Sequence, residues 1–535
     1  MPEYLSPAVY VEEVSSGIRP IEGVGTSTGA FVGRALKGPV NKPVLITNQT
    51  QLFNTFGAFF PGYNLPYAVQ HFFLEGGTRC YVVRVLDDDA GVASTVLQDD
   101  GGNGVLQVDA LSQGAWGNRI TVEIGSPAFH PSDFDANGNR VGEPKFSLTV
   151  IYRSSPEADP EVVESYPRLS MKEFTDEQLP NPLHVERLID GVSQYIFVVD
   201  MSDDPANLEV PAGGSFQLAG GNLGAPLTAN QYIGQVETDT DPASGLYAFD
   251  TVDNINIVAI PDLAGLDDRT AARDAVIQGF TYCENRADCF FVADTPSNQS
   301  PQQALEYKQG RGAFPGNAFN SQYGALYYPW ILITDPLTGN RIPFPPSGAV
   351  VGSYSATDVR RGVHKAPAGT EDGYLNVAAD IERIITKGEH DTLNPEGVNV
   401  IRKFPEAGIV IWGARTVSAD PEWKYVNVRR LFLFLEESID EGTQYVVFEP
   451  NDQTLWKRII RNVSAFLRIQ WSEGKLVGNT PEEAFFVKCD EETNPPESVD
   501  LGRVITLIGV APSKPAEFVI FRIMQQRPGG GPESI

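Results

Sequence analysis

A chain of 535 residues has room for three or four structural units and a sizeable core, which excludes a small scaffold stapled by disulfides or metal. With 69 acidic residues against 40 basic ones the formal charge is −29, which repels a phosphate backbone, so nucleic acid is not expected as a direct partner. Cys80, Cys283, Cys289 and Cys489 are few and scattered, without the Cys-x-x-Cys spacing of a zinc ribbon, and fit synthesis in a reducing cytoplasm.

The stretch Met1 to Tyr10 lacks the basic and apolar regions of a secretion signal, and no window approaches 18 uninterrupted apolar residues. Neither a leader nor direct membrane insertion is expected. Residues 6–14 alternate like a strand, and Ser15-Ser16-Gly17 and Pro20 cut them off from the rest of the chain. A strand isolated at a terminus cannot pair its own N–H and C=O groups, so this segment reads as an extended arm for a sheet edge, including one on another subunit.

Two β-rich runs, 28–36 and 78–86, flank a predicted helix over 67–75. The acidic runs Asp87-Asp88-Asp89 and Asp99-Asp100 then mark a change of composition. Residues 90–222, with short alternating strands near 119–124 and 146–152, read as an inserted, mostly β domain. A strand over 255–260, a helix over 270–283 and a strand over 289–293 restore a βαβ pattern, so the central domain is expected to be α/β and split by the insertion. A Pro- and Gly-rich passage, 343–369, precedes a third region with apolar segments at 408–413, 426–438 and 444–449. The clearest predicted helix is 453–471, where Leu455, Trp456, Ile459, Ile460, Val463, Phe466 and Leu467 recur at three- and four-residue spacing. Residues 517–523 form a second apolar β run before a Gly- and Pro-rich tail. The expected domains are an arm over 1–22, a central domain in two parts (23–89 and 223–365), an insertion over 90–222, a C-terminal α/β domain over 366–516, and a strand arm with tail over 517–535.

Little in the chain points to catalysis. Gly23 to Gly29 has the glycines of a phosphate loop, but no Gly-Lys-Ser/Thr follows and the next residues read as a strand. Asp133 to Gly138 opens like a calcium loop, yet Pro144 stands where a bidentate Glu is required. The five histidines have no zinc-type pairing, and Glu389-His390-Asp391 reads as a solvated polar stretch. Asp294, at a strand end, reads as a turn or helix cap, with magnesium ligation the rarer role. Cys283 and Cys289, six residues apart around a helix end, read as ordinary buried thiols. No catalytic, cofactor or metal-binding residue is assigned. The spacing of Lys457, Arg461 and Arg468 puts three cations on one flank of the clear helix, either as a solvated face or as a docking ridge for an acidic protein surface.

Residues 7–13, 76–85, 358–369 (DVRRGVHKAPAG) and 425–431 (YVNVRRL), taken in order, resemble blocks of the contractile tail sheath family shared by myophages, R-type pyocins and extracellular contractile injection systems. Pro7-Ala8-Val9-Tyr10-Val11-Glu12-Glu13 is similar to the family's N-terminal arm, with Ala8 where Gly is common, and residues 76–85 (GGTRCYVVRV) resemble the next block. Tyr327-Tyr328-Pro329-Trp330 and Asp335-Pro336 follow, then residues 345–348 and 358–369, where His364 replaces a usual aromatic. Trp412 to Thr416, Tyr425 to Leu431, Phe448-Glu449-Pro450-Asn451, Ala484 to Asp490 and Pro515 to Val519 complete the series. The insertion is not covered.

This resemblance implies a multidomain tail-sheath fold of mixed α/β type and a structural rather than enzymatic role. Subunits of such sheaths stack as hexameric rings around an inner tube and contract from a metastable extended state. The implied partners are copies of the chain itself, a tail tube protein, and baseplate and terminator proteins. Val9, Tyr10, Val11 and Glu12 at one end, and Glu517, Phe518, Val519, Ile520 and Phe521 at the other, would be donated to neighbouring sheets. The 453–471 helix is expected to face the tube through Lys457, Arg461 and Arg468. The alternatives weighed are a type VI secretion-like sheath component, normally divided between two shorter proteins, and a metal-dependent α/β enzyme built on Asp294 and Glu389.

Overall fold

The computed structural model describes residues 20–128, 144–155, 157–176, 179–201, 209–518 and 520. Two compact units emerge. Among the described residues, the larger contains 24–360 and 367–426, and the smaller contains 20–23, 361–366 and 427–518. Sequence pattern alone starts the last domain at 366. Strand pairing moves residues 367–426 into the larger unit.

An eight-stranded sheet organises the larger unit: β1 (Gly29–Gly33), β2 (Val44–Ile46), β3 (Cys80–Arg84), β4 (Ile257–Ala259), β5 (Phe290–Asp294), β6 (Gly324–Tyr328), β7 (Val398–Phe404) and β8 (Gly408–Ile411), in the order β2-β3-β1-β4-β5-β6-β7-β8. The six inner strands are parallel, and β2 and β8 close the two edges antiparallel. Strands covered on both faces need continuous apolar runs rather than alternation. β1 (GAFVG), β5 (FFVAD) and β6 (GALYY) are buried at every position. β7 extends this sheet beside β6, which ties 398–411 to the central fold.

Helix α1 (Leu65–Leu74) lies between β1 and β3, and α2 (Arg269–Arg286) between β4 and β5, completing the expected crossovers. The passage read as Pro- and Gly-rich contains α3 (Ser347–Arg361), a 15-residue helix that the sequence pattern does not anticipate. Its glycines are close-packing sites rather than breakers. A Cβ on Gly348 would stand 2.5 Å from the Ala68 carbonyl oxygen, and one on Gly352 2.6 Å from that of Phe72, both on α1.

The insertion has its own core. A three-stranded sheet (94–98, 104–110, 196–200) and a four-stranded sheet (120–128, 145–152, 161–169, 214–217) bury one another's alternate residues, including Leu106, Val108, Val122, Leu148 and Val150. Residues 145–152 show the period of two that gives one buried face. Two cations anchor this domain to the sheet. Arg84, fully buried at the end of β3, donates to the carbonyl oxygens of Ala35 (2.9 Å), Gly38 (2.8 Å), Leu36 (3.2 Å) and Gln113 (2.9 Å). Lys37 points its ammonium at the Tyr195 ring (4.5 Å to the centroid) and the Trp116 ring (5.7 Å).

The smaller unit is built on α4 (Val426–Thr443) and α5 (Gln453–Ser472) with a two-stranded antiparallel sheet, β9 (Phe485–Lys488) and β10 (Leu507–Val510). Asp452 caps α5 by accepting from the N–H groups of Thr454 (2.8 Å) and Leu455 (2.9 Å). Phe466 on α5 packs against Phe434 on α4 with ring centroids 6.1 Å apart. Among the described residues no helix is long and apolar enough to cross a membrane.

Candidate assembly surfaces

The smaller unit carries three features suited to contact with other chains. The first is the β9–β10 sheet. Phe485 pairs with Val510 and Val487 with Ile508 on one face, while Phe486 lies over Gly509 and Lys488 pairs with Leu507 on the other. Phe486 is 54% and Leu507 52% exposed, so this second face leaves large apolar groups in water. A two-stranded sheet is marginal by itself, and half of its strands' N–H and C=O groups point away from the partner strand.

The second feature is α5. Its buried row includes Leu455, Ile459, Phe466 and Gln470, and Lys457, Arg461 and Arg468 are all exposed. At about 100° per residue the three cations lie within about 40° of one another and face directly away from that row. The sequence-predicted stripe therefore exists as one basic ridge. A groove of about 430 Å³ that shares Lys457 with the ridge is lined by Trp456, Ile460 and Cys489 and by the acidic Asp490, Glu491 and Glu492.

The third feature was not singled out as a surface in the sequence. In the loop between α4 and α5, Phe448 is fully exposed and holds φ at 68°, beside Val447 at 64% exposure. An aromatic residue rarely takes this left-handed conformation. The loop is tied down just beyond it, where Asn451 donates to the Arg503 carbonyl (2.9 Å) and accepts from the Trp456 indole N–H (2.8 Å).

Of the expected arm residues, Val9, Tyr10, Val11, Glu12, Val519 and Phe521 lie outside the described residues. Glu517, Phe518 and Ile520 are described and belong to no strand of this chain, and Phe518 and Ile520 are 72% and 78% exposed. The calcium-like loop at 133–138 also lies outside the described residues.

The acidic groups weighed for metal binding are committed elsewhere. Asp294 accepts from the backbone N–H of Ser347 (2.9 Å), the first residue of α3, and full burial pushes its carboxyl up to about 7. It serves a helix start remote in sequence, rather than the local Thr295-Pro296 turn. Glu389 completes a capping box with Thr386 at the start of the 387–393 helix, and Lys387 pairs with Asp391 at 3.0 Å. Among the described residues no three potential metal ligands converge.

Comparison with known proteins follows the same architecture. Residues 235–417 match the phage tail sheath protein central domain, and residues 418–526 match the phage tail sheath C-terminal domain, together more than half of the chain. The chain belongs to the phage tail sheath family. It is 23% identical over 509 residues to the tail sheath protein of Burkholderia phage BcepMu, covering 92% of this chain and 91% of that one. Other curated sheath proteins match over shorter stretches: Vibrio phage KVP40 at 27% identity (33% of this chain, 25% of the relative) and Enterobacteria phage T4 at 22% (44% and 36%). The chain thus spans only a quarter to about a third of these two relatives.

Among solved structures, the fold is similar to the sheath of an extracellular contractile injection system, PVC, in its contracted state (TM-score 0.56, 20% identity, 98% of this chain and 99% of that one). It is equally similar to the contracted helical sheath of the anti-feeding prophage (TM-score 0.56, 22% identity, 98% and 100%). A sheath tail protein from Listeria innocua gives a TM-score of 0.57 at 13% identity, over 92% and 96% of the two chains. The mixed α/β, multisheet fold expected from the sequence is the fold of this family.

Proposed function

We propose that this chain is the structural subunit of a contractile sheath, made in the bacterial cytoplasm and built with copies of itself into stacked hexameric rings around an inner tube, between a baseplate and a terminator. The reading rests on the β9–β10 sheet, a two-stranded sheet with apolar residues on both faces in a chain whose two terminal sequences are apolar β runs. Strand addition resolves both problems together, since an arm from a neighbouring copy takes up unpaired backbone groups and covers exposed side chains. Four or five backbone hydrogen bonds at about 1 kcal/mol each, with the buried apolar area, give roughly 5 kcal/mol or more per arm.

The basic ridge of α5 is the surface proposed to face the tube, with Lys457, Arg461 and Arg468 meeting acidic groups there. Contraction would then be release from a metastable extended lattice into one that buries more surface, driven by assembly energy rather than by a catalysed reaction. Electron microscopy of the full-length protein beside a form lacking residues 1–17 tests the arm model. Striated tubes from the full chain that vanish on truncation are expected. Tubes of equal length from both forms would remove the N-terminal arm from the mechanism. Charge reversal at Lys457, Arg461 and Arg468 is expected to abolish co-assembly with the tube, and unchanged co-assembly would remove the ridge.

A further inference from the structure

Helix α2 ends at Ala287, whose φ of 61° reverses the chain, with its N–H donating to the Cys283 carbonyl at 2.9 Å. The reversal is held from several sides by Arg286. Its guanidinium donates to the Phe249 carbonyl (2.7 Å), the Tyr282 hydroxyl (3.1 Å) and the Val252 carbonyl, and pairs with Asp288 at 2.8 Å. The chain then enters β5, and Cys289 arrives beside the last turn of α2. The two sulfurs stand 3.4 Å apart, both completely buried and both reduced. Packing alone asks only for small apolar groups at these positions. The turn instead fixes two thiols in van der Waals contact, at the junction of a helix with a central strand of the sheet.

We propose that Cys283 and Cys289 form an oxidation site that closes to a disulfide when the protein meets a peroxide, stapling the end of α2 to β5. A disulfide requires about 2.05 Å between sulfurs, so they need to approach by a little over 1 Å, within reach of small side-chain rotations. One cysteine sulfur attacks a peroxide oxygen, the O–O bond breaks, and a sulfenic acid and one water form. The second sulfur then attacks the sulfenic sulfur, the S–O bond breaks, the S–S bond forms and a second water leaves. Two thiols lose two electrons and two protons in all, and one hydrogen peroxide becomes two waters. Burial raises the Cys289 thiol well above the ordinary cysteine range, so reaction waits on brief opening of the α2 terminus and the pair stays reduced in a reducing compartment.

The test uses the full-length chain treated with hydrogen peroxide, or with a reductant as control, then denatured and titrated for free thiols. Of the four cysteines, four should react in the reduced sample and two in the oxidised one, with a mass loss of about 2 Da for the two hydrogens removed. Trypsin cuts after Arg286, so the two cysteines fall on separate peptides that stay joined only if the bridge has formed. The oxidised protein should melt at a higher temperature than the reduced one, a shift that Cys283→Ser and Cys289→Ala should each abolish. Four titratable thiols after peroxide, sulfinic acid at either position, or a bridge to Cys80 or Cys489 would each overturn the proposal.

Discussion

Replacing Asp294 by Asn should make the larger unit more stable above neutral pH and leave it almost unchanged near pH 4. The carboxyl is completely buried, and its Oδ1 accepts from the Ser347 N–H at the start of α3. The helix terminus favours the charged form, and burial opposes it. Burial prevails, moving the group from 3.8 to about 7. The native state therefore holds its proton more tightly than the unfolded chain, so stability is greatest below about pH 4 and falls as pH rises towards 7. At about 1.4 kcal/mol per tenfold change in proton affinity, the loss by pH 8 is roughly 4 kcal/mol. Asn keeps an acceptor for the Ser347 N–H and carries no charge to bury. With unfolding entropy near 2.1 cal/mol/K per residue over roughly 400 residues, the variant should melt about 5 °C higher at pH 8. Calorimetry of both proteins from pH 4 to pH 8 measures this. A variant less stable at every pH would refute the reasoning, because it would mean that the helix terminus needs the charge and that burial does not dominate.

Three other substitutions probe how the units are held. Arg84→Met abandons four carbonyl acceptors, three in the 35–38 segment of the central domain and one, Gln113, in the insertion that this segment supports. At about 1–3 kcal/mol for each buried acceptor left without a donor, partly relieved by water, the cost should reach roughly 3–5 kcal/mol, read as faster proteolytic release of the 90–222 region. Gly352→Leu drives a side chain into the backbone of α1 and should lower stability by about 1–3 kcal/mol in chemical denaturation, although Leu is the better helix former. Phe448→Gly should raise the stability of the isolated chain by up to about 1 kcal/mol, since it relieves a left-handed φ and removes no buried contact. Tube length measured on the same variant reports whether the exposed ring is used in assembly.

What was legible in the sequence followed from local pattern. The runs of β1, β3 and β5 are apolar at nearly every position because they lie inside a parallel sheet, and the 3.6-residue period of α5 gives both its buried row and its basic ridge. Helix α3 is not legible in the sequence because Gly348, Gly352 and its serines lower helix propensity, and the compensating contact with α1 lies about 280 residues away in the chain. The placement of β7 and β8 is hidden for a related reason, since an apolar strand does not record which sheet it will join. Arg84 and Lys37 break the expectation that charges stay outside, and only the carbonyls and rings around them explain their burial. The proposed assembly surfaces are half visible in the sequence. Sequence showed the cations of α5 and the apolar arms, but the unfinished sheet that could receive a strand required the fold.

Charge offers a way to separate the two proposed contacts. Each copy carries a formal −29, so copies repel one another at long range, and an association carried by backbone hydrogen bonds and apolar area must overcome that repulsion. Near 0.15 M salt the screening length is about 8 Å, short against the spacing of subunits. Sheath self-assembly should therefore be promoted by moderate salt. Docking of the α5 ridge on an acidic tube depends on attraction between unlike charges and should weaken over the same range. Turbidity of the sheath alone and co-sedimentation with the tube, from about 0.05 to 0.5 M sodium chloride, should move in opposite directions. If self-assembly instead dissolved as salt rose, ion pairs rather than donated strands would be holding the copies together, and the arm model would lose its energetic basis.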